Sequence, residues 1–142
     1  MIVLASDHSG LELKNRIKKV MTDNNLKVLD VGPYEYERDD DYPDYVFKAN
    51  QYVLQGYIGI YFCASGIGVS MAANHCLGVR AVNATNKEQA FWARHHEDAN
   101  VLCIGQNFVS FEDAMSIINV FLKENFDGGR HLRRINKYSK NS

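Results

Sequence analysis

Five short apolar runs, each followed by a turn and then by a longer stretch with apolar residues at helical spacing, leave this chain few ways to fold. Strands joined through helices pair in parallel, and a parallel sheet is covered on both faces by its right-handed crossovers. The runs lie at residues 2–6, 27–31, 57–62, 79–83 and 100–104, and the helical stretches at 11–24, 42–55, 66–75, 87–96 and 110–124. Leu11, Ile17, Val20 and Met21 share one side of the first helix, and Pro43 falls in the first turn of the second, where its missing N–H costs little. Ser110, with Asp113 three residues on, reads as an approximate capping box before the apolar side Ile117, Ile118, Phe121 and Leu122. The expected fold is α/β: a three-layer, Rossmann-like sandwich around a five-stranded parallel sheet of order 2-1-3-4-5, with a helical tail at about 126–142.

The 142 residues suit one domain that buries roughly two-thirds of its unfolded surface. A net charge of −1 gives no broad attraction to nucleic acid or to an anionic membrane, so neither is expected as a partner and any phosphate site must be local. Cys63, Cys76 and Cys103 are an odd number at wide spacings with no CxxC pair, which argues against a disulfide framework and a structural zinc site and fits a reducing cytoplasm. Met1 leads directly into Ile2, with no basic leader region and no apolar run near the ~20 residues of a membrane span, so a soluble, unexported protein is expected.

Ligands of such sheets bind beyond the carboxyl ends of the strands, at the point where the strand order reverses. Three polar clusters fall at strand ends: Asp7-His8, Cys63 to Gly68, and Gly105-Gln106-Asn107. In the expected order the reversal lies between the first and third strands and brings Asp7-His8 beside Cys63. Unpaired N–H groups at a helix start hold anions and favour thiolate over thiol, so the Cys63 loop offers a base and an oxyanion site together. Blander readings stand beside this one. Cys63 can be a small buried hydrophobe, Asp7 a helix cap and His96 a partner for a helix C-terminus. Arg130 and Arg134, four apart on one helix face, suit a phosphate dianion or a solvated tail. Cys76 and Cys103 read as structural. Asp39-Asp40-Asp41 reads as a solvated loop without complementary metal-ligand spacing. Neither a GxGxxG fingerprint nor a P-loop lysine is present in the glycine run.

Several motifs in fixed order carry a more specific resemblance. They are Asp7-His8-Ser9-Gly10; Tyr42-Pro43; Cys63-Ala64-Ser65-Gly66-Ile67-Gly68 with Ala72-Ala73-Asn74; Gly78-Val79-Arg80-Ala81; Arg94-x-His96 with Asn100-Val101-Leu102; and Gly128-Gly129-Arg130-His131. Together, over about residues 2–138, they resemble the type B ribose-5-phosphate isomerase family, which includes galactose-6-phosphate isomerase subunits. The resemblance implies a cofactor-free, metal-free aldose–ketose isomerase that interconverts D-ribose 5-phosphate and D-ribulose 5-phosphate through a cis-enediolate. A six-carbon aldose phosphate, of the galactose 6-phosphate or allose 6-phosphate type, is the alternative substrate. A non-catalytic sugar-phosphate sensor and a thiol redox sensor are the alternatives of another class.

By the same resemblance Cys63 is the shuttling base, because Val69 stands where another branch carries a glutamate. Ser65 orients hydroxyls, and the N–H groups of Ser65 to Gly68 hold the developing oxyanion, one such donor being commonly worth ~3 kcal/mol. His96 protonates the ring oxygen, Asp7 accepts the anomeric proton, and His8, Arg130 and Arg134 take the phosphate. Tyr42, Ala64, Gly66, Ile67, Gly68, Glu97 and Asn100 complete the substrate-binding set. The site is implied to form at a homodimer interface from residues of both chains, with a tetramer as the alternative assembly. Two residues depart from the family pattern: Glu97 replaces an asparagine and Asn107 an arginine. An ionised Glu97 at ~5 Å from an enediolate would repel it by a few kcal/mol at a dielectric near 20.

Overall fold

The computed structural model describes residues 1–138. In chain order the strands are β1 (Ile2–Ser6), β2 (Val28–Asp30), β3 (Ile58–Cys63), β4 (Ala81–Asn83) and β5 (Val101–Gly105). The helices are α1 (Leu11–Asp23), α2 (Tyr42–Val53), α3 (Ile67–Ala73), α4 (Lys87–His95), α5 (Phe111–Lys123) and α6 (Arg130–Ile135), with a 3₁₀ turn at His8–Gly10 before α1. The expected tail contains α6, and its last four residues lie outside the described ones.

The two-residue period of a strand sorts the core into two layers. Ile2, Leu4, Ile60, Phe62, Leu102 and Ile104 pack with α1, α4 and α5. Val3, Ala5, Tyr61, Cys63, Val101 and Cys103 pack with α2 and α3. Cys63 therefore faces the α2–α3 layer while its neighbour Phe62 faces the other.

All four strand pairings are parallel, as expected, but the order is β2-β1-β3-β5-β4 rather than 2-1-3-4-5. The cause lies in the strands themselves. β5 is an unbroken apolar run buried at every residue and needs a partner on each side, whereas β4 has three half-buried residues and serves as a short edge. The order still reverses between β1 and β3, and the exchange places β5 beside β3, with Cys63 opposite Gly105.

Two buried polar contacts fix elements around the site. Lys14 is fully buried on α1, bonded through Nζ to Asp30 Oδ1 and to the Pro33 carbonyl, both at 2.7 Å, so the loop after β2 is tied to α1. Burial lowers the pKa of that ammonium, and the bond to Asp30 opposes the shift. Tyr61 Oη donates to Asn50 Oδ1 at 2.8 Å, and Asn50 Nδ2 donates to the Ala73 carbonyl, which joins β3, α2 and the end of α3.

Candidate active site

Asp7 follows β1 directly and caps the turn that comes next. Its Oδ1 accepts the N–H groups of Ser9 at 2.9 Å and Gly10 at 3.1 Å, so the capping reading holds at the 3₁₀ turn that precedes α1. Burial raises its carboxyl pKa, and the Gly10 N–H and the neighbouring His8 pull it back. His8 then meets a residue read from sequence as a solvated aspartate. Asp40 Oδ1 accepts the His8 backbone N–H at 3.1 Å and lies 2.7 Å from His8 Nδ1. A carboxylate only accepts, so Nδ1 donates, and this bond is the main reason that the pKa of His8 is raised. The ligand atoms of Asp7, His8 and Asp40 fall within 4.8 Å of one another. The His8–Asp40 contact is a hydrogen bond, and a proton on Nδ1 denies that lone pair to a metal.

Cys63 ends β3 with its side chain packed in the α2–α3 layer and 6% of the residue still exposed. Gly66 N–H donates to Cys63 Sγ at 3.1 Å, and Ile67 N–H donates to Ser65 Oγ at 3.1 Å. Gly66 has φ +80, and a Cβ there would stand 2.5 Å from Asn83 Oδ1. The position accepts only glycine on both counts. The loop's carbonyls are occupied elsewhere. Gln106 N–H donates to Cys63 O at 2.9 Å, Asn107 N–H to Ala64 O at 3.0 Å and Asn83 Nδ2 to Ser65 O at 3.3 Å. The backs of the loop residues are thus fastened to β4 and β5, while the Gly66 N–H points at the sulfur. Tyr42, at the start of α2, lies under the loop: a Cβ on Gly68 would meet its ring at 2.7 Å. The residue directly after Gly68 is Val69, an aliphatic side chain that is fully buried.

A second group gathers at the end of α4. His96 caps its C-terminus and meets neighbouring rings. Trp92 is 4.5 Å away at 41°, and His131 from α6 is 4.1 Å away at 14°, nearly parallel. Glu97 accepts a hydrogen bond from Tyr138 Oη at 3.3 Å. Arg130 and Arg134 are exposed on α6, and neither makes an ion pair among the described residues. Asn100, expected to bind substrate, braces a turn instead. Its Oδ1 accepts from Arg80 N–H at 2.7 Å and its Nδ2 donates to the Gly78 carbonyl at 2.9 Å.

The two groups open onto different cavities. His96, Glu97, Tyr138, Arg80 and Asn83 line one of about 620 Å³. His8, Tyr36, Gln106 and Asn107 line another of about 530 Å³. The chain brings His8, Asp7 and Asp40 together and binds the Cys63 loop to the strand ends beside them, while His96 lies on the other cavity. Sequence reasoning missed Asp40, Asn83 and His131. Of these, only His131 left a signal, since it lies four residues from Ile135 and the two form the buried side of α6.

A doubly wound parallel sheet with a cysteine at its reversal point, the Gly66 N–H turned to its sulfur and polar side chains at the neighbouring strand ends, is of the class that binds small polar ligands beyond the carboxyl ends of its strands. The chain belongs to the Ribose/Galactose Isomerase family, whose model matches residues 2–138. It is 44% identical over 138 residues to the probable ribose-5-phosphate isomerase B of Mycoplasma pneumoniae, covering 96% of this chain and 91% of that one. It is 36% identical over 136 residues to ribose-5-phosphate isomerase B of Escherichia coli K12, covering 94% and 91%. The structure of ribose-5-phosphate isomerase B from Mycoplasma genitalium with bound ribulose-5-phosphate superimposes with a TM-score of 0.94 at 41% identity, covering 99% and 97%. Among the described residues no helix is long and apolar enough to cross a membrane.

Proposed function

We propose that this protein is an aldose–ketose isomerase that interconverts D-ribose 5-phosphate and D-ribulose 5-phosphate, with Cys63 as the proton shuttle. The observation that supports it most is the Gly66 N–H to Cys63 Sγ contact of 3.1 Å at the end of β3. That donor fixes the sulfur at the strand end, and the adjoining amides suit the oxygen on which charge develops.

In this reading His8, with Arg130 and Arg134, holds the phosphate dianion. His96 gives a proton to the ring oxygen while Asp7 takes one from the anomeric hydroxyl, which frees the aldehyde. Cys63 removes the proton from C2, negative charge builds on O1, a proton passes from O2 to O1, and the sulfur returns its proton to C1 as the ketone forms at C2. Ser65 orients the hydroxyls. Since His96 and His8 face different cavities of one chain, the complete site is assembled between two copies, each lending its His96 group to the other's Cys63 loop. Tyr138 turns the Glu97 carboxylate into a hydrogen-bonded member of the cavity wall, which lessens its repulsion of the enediolate.

Cys63→Ala tests the shuttle. Ketose formation from ribose 5-phosphate, followed by NMR in deuterated water, is expected to fall by at least about 100-fold, together with label incorporation at C2. Turnover near the wild-type rate in a folded variant removes Cys63 from the reaction.

A further inference from the structure

His131 has no part in the reaction as written above, yet it is among the two buried residues of α6 and only 5% exposed. The fold goes to some length to place it. His95, the last residue of α4, has Nδ1 2.9 Å from Glu124 Oε1, and its carbonyl accepts the Asp127 N–H at 2.9 Å. These contacts fix the segment that enters the Gly128-Gly129 turn, whose φ values of +73 and +59 start α6. The outcome is that His131 lies on His96 with ring centroids 4.1 Å apart and planes 14° from parallel, while Trp92 contacts the same imidazole at 4.5 Å. His131 Nε2 is buried without a hydrogen-bond partner among the described residues, so what His131 gives to His96 is the face of its ring. Burial, and then the neighbouring His96, hold its pKa below the usual histidine value. An uncharged ring tolerates a proton on its neighbour, where two imidazolium rings would repel each other.

We propose that His131 is a positioning residue, whose stacked ring holds the His96 imidazole in the orientation that delivers a proton to the ring oxygen of the cyclic aldose phosphate. The inference rests on the ring-opening role given to His96 above.

The test separates ring opening from proton shuttling. Ribose 5-phosphate closes into a furanose, whereas ribulose 5-phosphate carries its phosphate on the oxygen that would close the ring and stays open. Two rates are measured: conversion of the aldose, and enzyme-catalysed exchange of the ketose C1 hydrogen with deuterated water, which needs the shuttle alone. His131→Ala is expected to slow aldose conversion about tenfold or more while ketose exchange stays within about twofold, since acid–base groups contribute at least that much. His131→Phe, which keeps a ring face, is expected to recover most of the loss. Melting transitions of both variants check folding. The proposal is overturned if the alanine variant converts aldose at the wild-type rate, if it loses both rates equally, or if phenylalanine does no better than alanine. A wild-type protein with neither activity would sink the isomerase reading itself. His96→Gln losing exchange along with conversion would sink the ring-opening role of His96, and the role of His131 with it.

Discussion

Gly105→Ala adds one methyl group, on a residue with no side chain of its own, and should cost this protein its activity. Gly105 ends β5 opposite Cys63, and a Cβ there would stand 2.4 Å from both the carbonyl carbon and the oxygen of Ser65. Both are main-chain atoms, so no rotamer change relieves the clash. Reaching ordinary contact at 3.4 Å requires the loop to retreat by about 1 Å, in the segment whose Gly66 N–H is directed at the thiol. A displacement of ~1 Å between reacting groups costs about 100-fold in rate, and overpacking costs about 1–3 kcal/mol of stability. Gly56→Ala is the control. Its Cβ would meet nothing within 4 Å, but its φ of +103 strains any side chain, so it should lose about 1–2 kcal/mol of stability and no activity. Initial rates of ketose formation and thermal melts on both variants provide the comparison. Near-wild-type kcat in folded Gly105→Ala would refute the claim that the strand end sets the geometry of the cysteine loop.

The pKa of His8 is raised above 6.5 chiefly by Asp40, so its cationic form persists to higher pH than that of a free histidine. The stabilisation it provides is complete below the unfolded value and fades as pH rises through the raised one, and so does its hold on phosphate. KM for ribose 5-phosphate is therefore expected to climb as pH rises, at higher pH than an unpaired histidine would set, and Asp40→Asn to move that climb to lower pH; identical KM profiles would contradict the pairing. Lys14→Met should cost about 3 kcal/mol in a denaturant melt, because it leaves the buried Asp30 carboxylate with the Gly32 N–H at 2.9 Å and, as its one ion pair among the described residues, the 3.2 Å contact from Lys18. Unchanged stability would show that the buried ammonium is dispensable.

Alternation of short apolar runs with helical spacing is enough to locate the five strands and α1 to α5, because burial on two faces leaves a plain mark on a parallel strand. β1 coincides with the expected residues 2–6, and α2 begins at Tyr42 with Pro43 in its first turn. Chain order is a poor guide to spatial order here, and the apolar run Val101 to Ile104 marks a more central strand than Ala81 to Asn83. In the site, Cys63 and its glycines were legible because a thiol after a buried strand is uncommon. Lys14 and Asp40 were not. Each is a charged residue whose partner lies 16 or 32 positions away, and nothing local distinguishes a paired charge from a solvated one. Asn100 misled for the opposite reason: a motif position suggested ligand contact, while its amide was already committed at both ends.

The anchoring of the cysteine loop by its carbonyls has a consequence for how this catalyst tolerates change. Its polarity is written in peptide atoms, since Cys63, Ala64 and Ser65 give their oxygens to β4 and β5 and Gly66 turns its nitrogen to the sulfur. Side chains on the outward positions, such as the exposed Ile67, can be exchanged without disturbing that field. The glycines at 66 and 105 cannot, because there the missing side chain is itself the functional group. Variation in substrate preference is thus free to accumulate around a main-chain device that stays constant.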